Sequence, residues 1–389
     1  MQLFYLFKSS SIDLIYLHDG SPLFGEEVMS PNGKRLTQFL GVPFAEPPIG
    51  NLRFRKPKPK QPWRIPLNAT IPPNSCIQSF DTYFGEFYGA TMWNANTPTS
   101  EDCLYMNIFV PGKVDPKKRL AVMLWVYGGG FWSGTSTLDV YDGRILPVEE
   151  NIILVSMNYR VSMFGFLYLG RREAPGNMGL WDQQLALKWG NKLFRISDGI
   201  SCASAAKTLM RIIQRAIIQS GSATAPWAIE PRDVALARTV VLYNAMKCGN
   251  MSLQNPDYDK ILDCFQRADA DLIRENEWAP VREFADFPWV PVVDGDFLVE
   301  SAQTSLRQGN FKHTQLLAGS NLDESMYFII YQLTNIFPVQ DFFTKKDFVP
   351  DRHTWLKAIS DLLPRQMIKS QLALAAILHE YEPANLPGM

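Results

Sequence analysis

Three consecutive glycines follow an apolar run that ends in Trp125-Val-Tyr127. Gly128, Gly129 and Gly130 allow the backbone to turn sharply and to present successive N–H groups to an approaching oxygen atom. Such donors can stabilise the charge that develops on a carbonyl oxygen under nucleophilic attack. A run of three glycines alone is typical of a tight turn, but its place directly after a strand-like run favours the chemical interpretation. Gly129 and Gly130 are therefore candidates for an oxyanion hole.

Short apolar runs that end in Gly or Ser must position this turn, and they alternate with helix-like stretches. The strand-like runs cover residues 120–130, 152–159, 215–222 and 314–320, and the clearest helix-like stretches cover residues 180–189 and 232–248. Buried strands separated by helices indicate an α/β fold with a mainly parallel sheet and helices on both faces. In such folds the ligand lies beyond the carboxyl ends of the strands, where these glycines fall.

Composition narrows the function classes. The 389 residues carry 38 Lys+Arg and 39 Asp+Glu, a net charge of -1. The chain therefore has no excess of positive charge that would favour binding to nucleic acid or to an anionic membrane. No apolar run approaches the roughly 18 residues of a membrane span. Aromatic residues make up 12% of the chain and include 10 Trp. We therefore expect some of the large rings to lie outside an ordinary hydrophobic core. These features favour a soluble enzyme or binding protein.

Cysteines and sequons favour an oxidising compartment. We interpret Cys76 and Cys103 as one pair and Cys248 and Cys264 as another, which leaves Cys202 over. Glycosylation in a secreted chain is predicted at two sequons, which begin at Asn68 and Asn250. The first ten residues disagree with this localisation, because they mix polar and apolar side chains and are followed by no small-residue cleavage site. The cysteines and sequons therefore favour an oxidising compartment, although the sequence opens with no convincing signal peptide.

Six motifs, in order along the chain, resemble those of one enzyme family. They are Phe44-Ala-Glu-Pro-Pro48, Ser100-Glu-Asp-Cys-Leu-Tyr-Met-Asn107, Trp125-Val-Tyr-Gly-Gly-Gly-Phe131, Asn158-Tyr-Arg160, Glu173-Ala-Pro-Gly-Asn-Met-Gly179 and Gln219-Ser-Gly-Ser222. The family is the type-B carboxylesterases, and the chain is most similar to their cholinesterase branch, from about residue 41 to about residue 364. The resemblance implies an α/β-hydrolase fold and a serine ester hydrolase that acts on a choline ester such as acetylcholine and needs neither metal nor cofactor.

The resemblance also assigns binding roles. Trp93, inside the loop between Cys76 and Cys103, resembles the tryptophan that stacks on the substrate's quaternary ammonium, an interaction of about 1–2 kcal/mol when desolvated. The remaining roles are a choline pocket at Tyr327 and Phe328, an acyl pocket at Trp227 and Phe287, and a peripheral site at Asp81, Trp132, Trp278 and Tyr331. Phe284 and Ala285 compete for a further acyl wall, which leaves acyl specificity open. Singly, each aromatic residue could belong to the core and Asp81 to the solvated surface, but the whole set favours a binding gorge.

The catalytic residues are only partly accounted for. This chemistry needs Ser, an acid and His in that chain order. Glu324 resembles the family's acid, and Asp323 is the weaker choice. No Gly-x-Ser-x-Gly occurs in the chain, and the nearest match, Gly199-Ile-Ser-Cys-Ala203, places Ser201 at its centre. The interval around Ser201 is shorter than the family pattern, so we do not expect it to be a working nucleophile.

The catalytic histidine has no match either. His18 and His313 precede the acid, while His353 and His379 fall in helix-like stretches without a family motif. Without a base, a serine hydroxyl is weakly nucleophilic at neutral pH. We therefore expect the chain as written to be inactive, with an α/β-hydrolase fold incomplete at its C-terminus.

Three interpretations remain at this point. The first is a cholinesterase-like serine hydrolase whose sequence is internally shortened and C-terminally truncated. The second is a non-catalytic cholinesterase-like adhesion protein of the neuroligin type, and the third is a generalist carboxylesterase. For domains, we predict an atypical segment at residues 1–40 and one partial type-B carboxylesterase domain at residues 41–389. A small choline ester is the expected partner, nucleic acid is not, and oligomerisation stays open.

Overall fold

The computed structural model of the protein describes residues 14–194, 213–281, 286–334, 336, 338, 351–362 and 371–381. The chain divides into two units. The first unit comprises residues 1–281 and 287–319, and the second comprises residues 282–286 and 320–389.

Strands dominate the early chain and helices the later chain. The strands are β1 (Leu14–Tyr16), β2 (Pro22–Phe24), β3 (Glu26–Met29), β4 (Arg35–Pro43), β5 (Leu67–Asn68), β6 (Ser75–Cys76), β7 (Thr99–Ser100), β8 (Tyr105–Pro111), β9 (Val122–Trp125), β10 (Ile153–Met157), β11 (Tyr168–Arg171), β12 (Ala174–Pro175), β13 (Arg215–Gln219) and β14 (Gln315–Gly319). The helices are α1 (Tyr88–Thr91), α2 (Leu146–Glu150), α3 (Ser162–Phe166), α4 (Met178–Phe194), α5 (Arg232–Ala245), α6 (Tyr258–Arg267), α7 (Ala270–Asn276), α8 (Ala302–Gln308), α9 (Met326–Gln332), α10 (Arg352–Leu362) and α11 (Gln371–Tyr381).

The central sheet of the first unit has the order β3-β4-β8-β10-β9. Strands β3, β4, β8 and β10 pair antiparallel in succession, whereas β10 pairs with β9 in parallel. Strands β13 and β14 form a separate parallel pair. The four runs that predicted parallel strands therefore each have a parallel partner, as do the two-residue pairings of β2 with β5 and of β6 with β7. The antiparallel part, which begins with the tight turn between β3 and β4, was not anticipated.

Helices cover both faces of the sheet, as the sequence predicts. Side chains alternate along each strand, so Val155 of β10 belongs to the main core, while the adjacent Leu154 belongs to a smaller cluster with Leu36. Val148 of α2 packs on the smaller cluster. Leu187 of α4 is part of the main core on the opposite face.

Both predicted disulfides are confirmed. Cys76–Cys103 has a Cα–Cα distance of 5.0 Å, and Cys248–Cys264 has one of 6.2 Å. Cys202 lies outside the described residues. Strand β4 crosses residue 40, so the end of the predicted N-terminal segment lies within the central sheet; the extent of the single domain stays a prediction.

The second unit is helical where it is described. Ile329 of α9 packs on a small cluster formed by Leu333, Ile336 and Ala358, the last of which belongs to α10. Over all the ranges given above, no helix is both long and apolar enough to cross a lipid bilayer.

Candidate active site

The glycine-rich turn leaves β9 and adopts a conformation that side chains disfavour. Gly129, Gly130 and Phe131 have φ angles of +132°, +59° and +67°. A Cβ atom at Gly129 would lie 2.3 Å from the carbonyl oxygen of Ser133, so only glycine fits there. Within the described part of the chain, the N–H groups of Gly129 and Gly130 donate to no acceptor. The fold therefore does not use these two amides, and their role as an oxyanion hole stays a prediction.

The turn is held from both sides by hydrogen bonds. The Gln78 side chain donates to the carbonyl of Gly134 and accepts from its N–H group, each over 2.8 Å. On the other side, the Ser162 N–H group donates to the Phe131 carbonyl over 2.6 Å. Gln78 lies two residues after Cys76, so the disulfide loop and the glycine-rich turn are fixed to each other.

Trp93 belongs to an aromatic cluster in the first unit. Its ring centroid lies 6.5 Å from that of Tyr141, which in turn lies 5.1 Å from that of Trp125. Trp93 is 50% exposed, whereas burial raises the pKa of Tyr141. A ring backed by other rings and open on the solvent side can accept a cation on its face. Tyr141 was missed by the sequence analysis, because no local pattern links it to the disulfide loop.

The two predicted acyl-pocket residues lie on segments that the fold brings together. Phe287 is buried, and a Cβ atom at Gly130 would lie 3.2 Å from its ring, so this ring lies against the glycine-rich turn. Trp227 lies three residues before Glu230, whose N–H group donates to the Pro291 carbonyl over 2.9 Å. The structure therefore places Phe287 beside the candidate oxyanion hole and Trp227 on the neighbouring segment.

The predicted peripheral residues of the first unit form two contacts. The rings of Trp132 and Trp278 meet edge to face with centroids 5.2 Å apart. Asp81 exchanges two hydrogen bonds with Asn94, from its own N–H group to the side-chain oxygen over 2.7 Å and from the side-chain nitrogen to its carbonyl over 2.9 Å. Because Asn94 follows Trp93, this exchange fixes Asp81 close to the aromatic cluster.

A buried carboxyl group, Glu277, was not anticipated by the sequence analysis. Its Oε2 atom accepts a hydrogen bond from the Ser162 hydroxyl, and its backbone carbonyl accepts one from Trp289 Nε1 over 2.7 Å. Burial raises the pKa of the Glu277 carboxyl. An acidic residue next to Trp278 was a visible signal, but its burial was not.

The remaining predicted residues with described positions lie in the second unit. Glu324 is exposed in the turn before α9, and its Oε1 atom accepts a hydrogen bond from the Asn321 N–H group over 2.7 Å. On α9 the Tyr327 ring lies 5.5 Å from that of Phe328 and 4.7 Å from that of Tyr331. The three rings therefore form one aromatic cluster directly after the candidate acid.

The candidate glycosylation sites lie at the surface, and three other predicted residues have no described position. Asn68 and Asn250, the candidate glycosylation sites, are both exposed. Ser201, Phe284 and Ala285 lie outside the described residues.

Comparison with known proteins identifies the family. The Carboxylesterase family matches residues 13–192 and 199–385. The chain is 73% identical over 404 residues to "Acetylcholinesterase 1" of Caenorhabditis elegans, an alignment that covers 99% of this chain and 65% of that protein. The same figures describe the match to "Acetylcholinesterase 1" of Caenorhabditis briggsae. An "Acetylcholinesterase" of the snake Bungarus fasciatus is 44% identical over 319 residues, which cover 77% of this chain and 51% of that protein.

This chain thus spans 65% of the length of its nematode relatives. The matched residues include the glycine-rich turn, the disulfide loop, both aromatic clusters and the candidate acid. The chain belongs to the carboxylesterase family, and its fold is the α/β-hydrolase fold.

Proposed function

We propose that this chain carries the substrate-recognition site of an acetylcholinesterase-like serine hydrolase, and that the whole protein hydrolyses acetylcholine to choline and acetate. The observation that carries the proposal is the half-exposed ring of Trp93, which is backed by Tyr141 and is followed in the chain by Asn94, the residue that holds the Asp81 backbone. An indole face next to a carboxylate suits a quaternary ammonium group. The names of the nematode and snake relatives support this substrate.

The proposed reaction uses the groups that the family chemistry requires. A serine attacks the ester carbonyl, a histidine accepts its proton, and Glu324 orients that histidine. The N–H groups of Gly129 and Gly130, with that of the residue after the serine, stabilise the oxyanion. Choline leaves past Trp93, and water hydrolyses the acetyl-enzyme. Since Ser201 stands outside a Gly-x-Ser-x-Gly motif and no histidine matches, we infer that the chain as given binds the ester without turning it over.

The other site residues receive roles in the same proposal. Phe287 and Trp227 limit the acyl group, and Tyr327 and Phe328 contact choline. The peripheral cation site consists of Asp81, Trp132, Trp278 and Tyr331. Glycosylation at Asn68 and Asn250 belongs to the same proposal, and the two disulfides support a secreted or synaptic location.

A pair of isosteric ligands tests the proposal. Choline and 3,3-dimethylbutanol have nearly the same shape, but only choline carries a positive charge. We expect Trp93→Ala to weaken choline binding by about 5–30-fold, the equivalent of about 1–2 kcal/mol of cation–π interaction. Binding of the neutral alcohol should change much less. Isothermal titration of the 389-residue chain with both ligands gives the two dissociation constants.

The matched control is Trp63→Ala, because Trp63 is also partly exposed but donates its indole N–H to the Pro22 carbonyl over 2.8 Å, away from the proposed ligand. Choline binding should be unchanged in this variant. Equal loss of both ligands in Trp93→Ala would instead indicate a generalist carboxylesterase pocket. No binding of choline by the unmodified chain would remove the substrate assignment.

A further inference from the structure

The loop between β8 and β9 carries three consecutive basic residues at its tip. Lys117, Lys118 and Arg119 are all exposed. Within the described part of the chain none of them forms an ion pair. Their positive charges are therefore exposed to solvent and are not paired with a carboxylate of the described residues.

The loop backbone is held at its two ends, and the Ala121 carbonyl accepts from the Ile153 N–H group over 2.8 Å at the far end. Asp115 closes a turn, because its carbonyl accepts from the Lys118 N–H group over 3.0 Å and its side chain accepts from the Lys117 N–H group over 2.9 Å. Residues 118–121 belong to no helix or strand. Exposed loop tips of this kind are preferred sites of proteolytic cleavage, because a protease must bind its substrate as an extended chain.

The described ranges hold three other pairs of adjacent basic residues. Arg55 and Lys56 are followed by Pro57, which proteases that cleave after basic residues do not accept after the cut, so the remaining two pairs provide an internal comparison. Lys34 and Arg35 stand at the start of β4, where Arg35 pairs with Met29 and the Lys34 amine lies 2.6 Å from the Glu149 carboxylate. A protease could bind these two residues as an extended chain only if the pairing of β3 with β4 opened.

The second pair is Arg171 and Arg172 at the end of β11. The Arg171 guanidinium lies 3.2 Å from the Asp259 carboxylate and 5.9 Å from the centre of the Tyr258 ring. The hairpin of β11 and β12 fixes the backbone at this pair. Among these three basic sites, only the loop at residues 115–119 is both unpaired and irregular.

We propose that this loop is a processing site for a serine protease that cleaves after paired basic residues. Water adds across the Arg119–Leu120 peptide bond, which leaves a carboxylate on Arg119 and a new amino group on Leu120. The loop's exposure does not depend on whether the protein hydrolyses choline esters.

The two products stay together after cleavage. Strand β8 belongs to one product and β10 to the other, and the two strands pair over four residues in the middle of the central sheet, with Ile108 opposite Val155. Each disulfide lies within one product, so no covalent bond joins them. The cut chain is therefore a non-covalent complex of residues 1–119 and residues 120–389.

Cleavage of the folded 389-residue chain by a subtilisin-like proprotein convertase tests this inference. Mass spectrometry follows three new N-termini, which begin at Leu120, Leu36 and Glu173. We expect the Leu120 terminus to form at least about tenfold faster than the other two, since those require a paired strand to open. In urea, where no strand protects its bonds, the three rates should converge.

Substitution and assembly provide the remaining readouts. Replacing the three loop residues together, by Lys117→Gln, Lys118→Gln and Arg119→Gln, should abolish the Leu120 terminus, whereas the control Arg171→Gln with Arg172→Gln should not slow it. The two products should co-elute in native buffer and separate in non-reducing SDS. Equal rates at the three sites in the folded chain, or an unchanged cut in the triple variant, would overturn the processing site. Separation in native buffer would overturn the non-covalent complex.

Discussion

The carboxyl group of Glu277 joins three segments near the candidate site. Its side chain accepts a hydrogen bond from Ser162, whose own N–H group donates to the Phe131 carbonyl at the glycine-rich turn. Its backbone accepts from Trp289, and Trp278 follows it in the chain. The position of Trp278 is therefore linked to that of the glycine-rich turn through one buried residue.

Burial also makes Glu277 a source of pH dependence. Its pKa in the folded protein lies above the ordinary value of 4.5, so the folded state binds the proton more tightly than the unfolded state does. The stabilisation that follows from this is fully present below the unfolded-state pKa and is lost as the pH rises through the folded-state pKa. The free energy of unfolding of the unmodified chain should therefore decline as the pH rises, and Glu277→Gln should not show this decline. The stability of the variant minus that of the unmodified chain should thus increase with pH.

Urea unfolding of both proteins from about pH 4 to about pH 8 measures the difference. The matched control is Glu275→Gln, because Glu275 lies two residues before Glu277, on α7, but is exposed. Parallel pH profiles of the unmodified chain and Glu277→Gln would contradict a raised pKa.

At the scale of elements, the disulfide loop is fixed along the segment that follows the glycine-rich turn. Gln78 pairs with both backbone groups of Gly134. Two further hydrogen bonds join the same segments, from Ser75 to Thr135 over 2.9 Å and from Thr137 to Asn96 over 2.7 Å. The loop that carries Trp93 is thus held by hydrogen bonds as well as by its disulfide.

Gln78→Met should show what this pairing contributes. Methionine keeps the length of the side chain but leaves the buried N–H and C=O groups of Gly134 without partners, at a cost of about 1–3 kcal/mol for each group. We expect a lower free energy of unfolding in urea with both disulfides intact. Gln254→Met, at an exposed position, serves as the control. Equal stability of the two variants would show that Gly134 finds other partners.

These contacts mark the limit of what the sequence could predict at the scale of elements. Short apolar runs near turn residues predicted the parallel strands β9, β10, β13 and β14, because local hydrophobicity and turn residues determine them. The partners of Gln78 and Glu277 are 56 and 115 residues away in the chain. A single sequence contains no local signal for such pairs, so the candidate residues were predictable but the groups that position them were not.

At the scale of the whole molecule, the residues proposed for recognition and those proposed for turnover lie in different parts of the chain. The first unit contains the candidate oxyanion turn, Trp93 and the proposed acyl-pocket residue Phe287. Glu324 lies in the second unit, and Ser201 lies outside the described residues. The family assignment rests on matches over most of the chain, whereas hydrolysis requires a serine activated by a base. Binding and hydrolysis can therefore be tested separately.

We expect the 389-residue chain to bind choline but to hydrolyse acetylthiocholine no faster than buffer does. A serine hydroxyl without an adjacent base is a weak nucleophile at neutral pH, and Ser201 lacks the Gly-x-Ser-x-Gly context that exposes such a hydroxyl. Ser201→Ala should then change neither choline affinity nor the rate of thiocholine release, and a fluorophosphonate probe should label neither protein. Trp93→Ala is the opposite control, since it should reduce choline affinity alone. Hydrolysis above the buffer rate that disappears in Ser201→Ala would show that Ser201 is a working nucleophile and that a base reaches it.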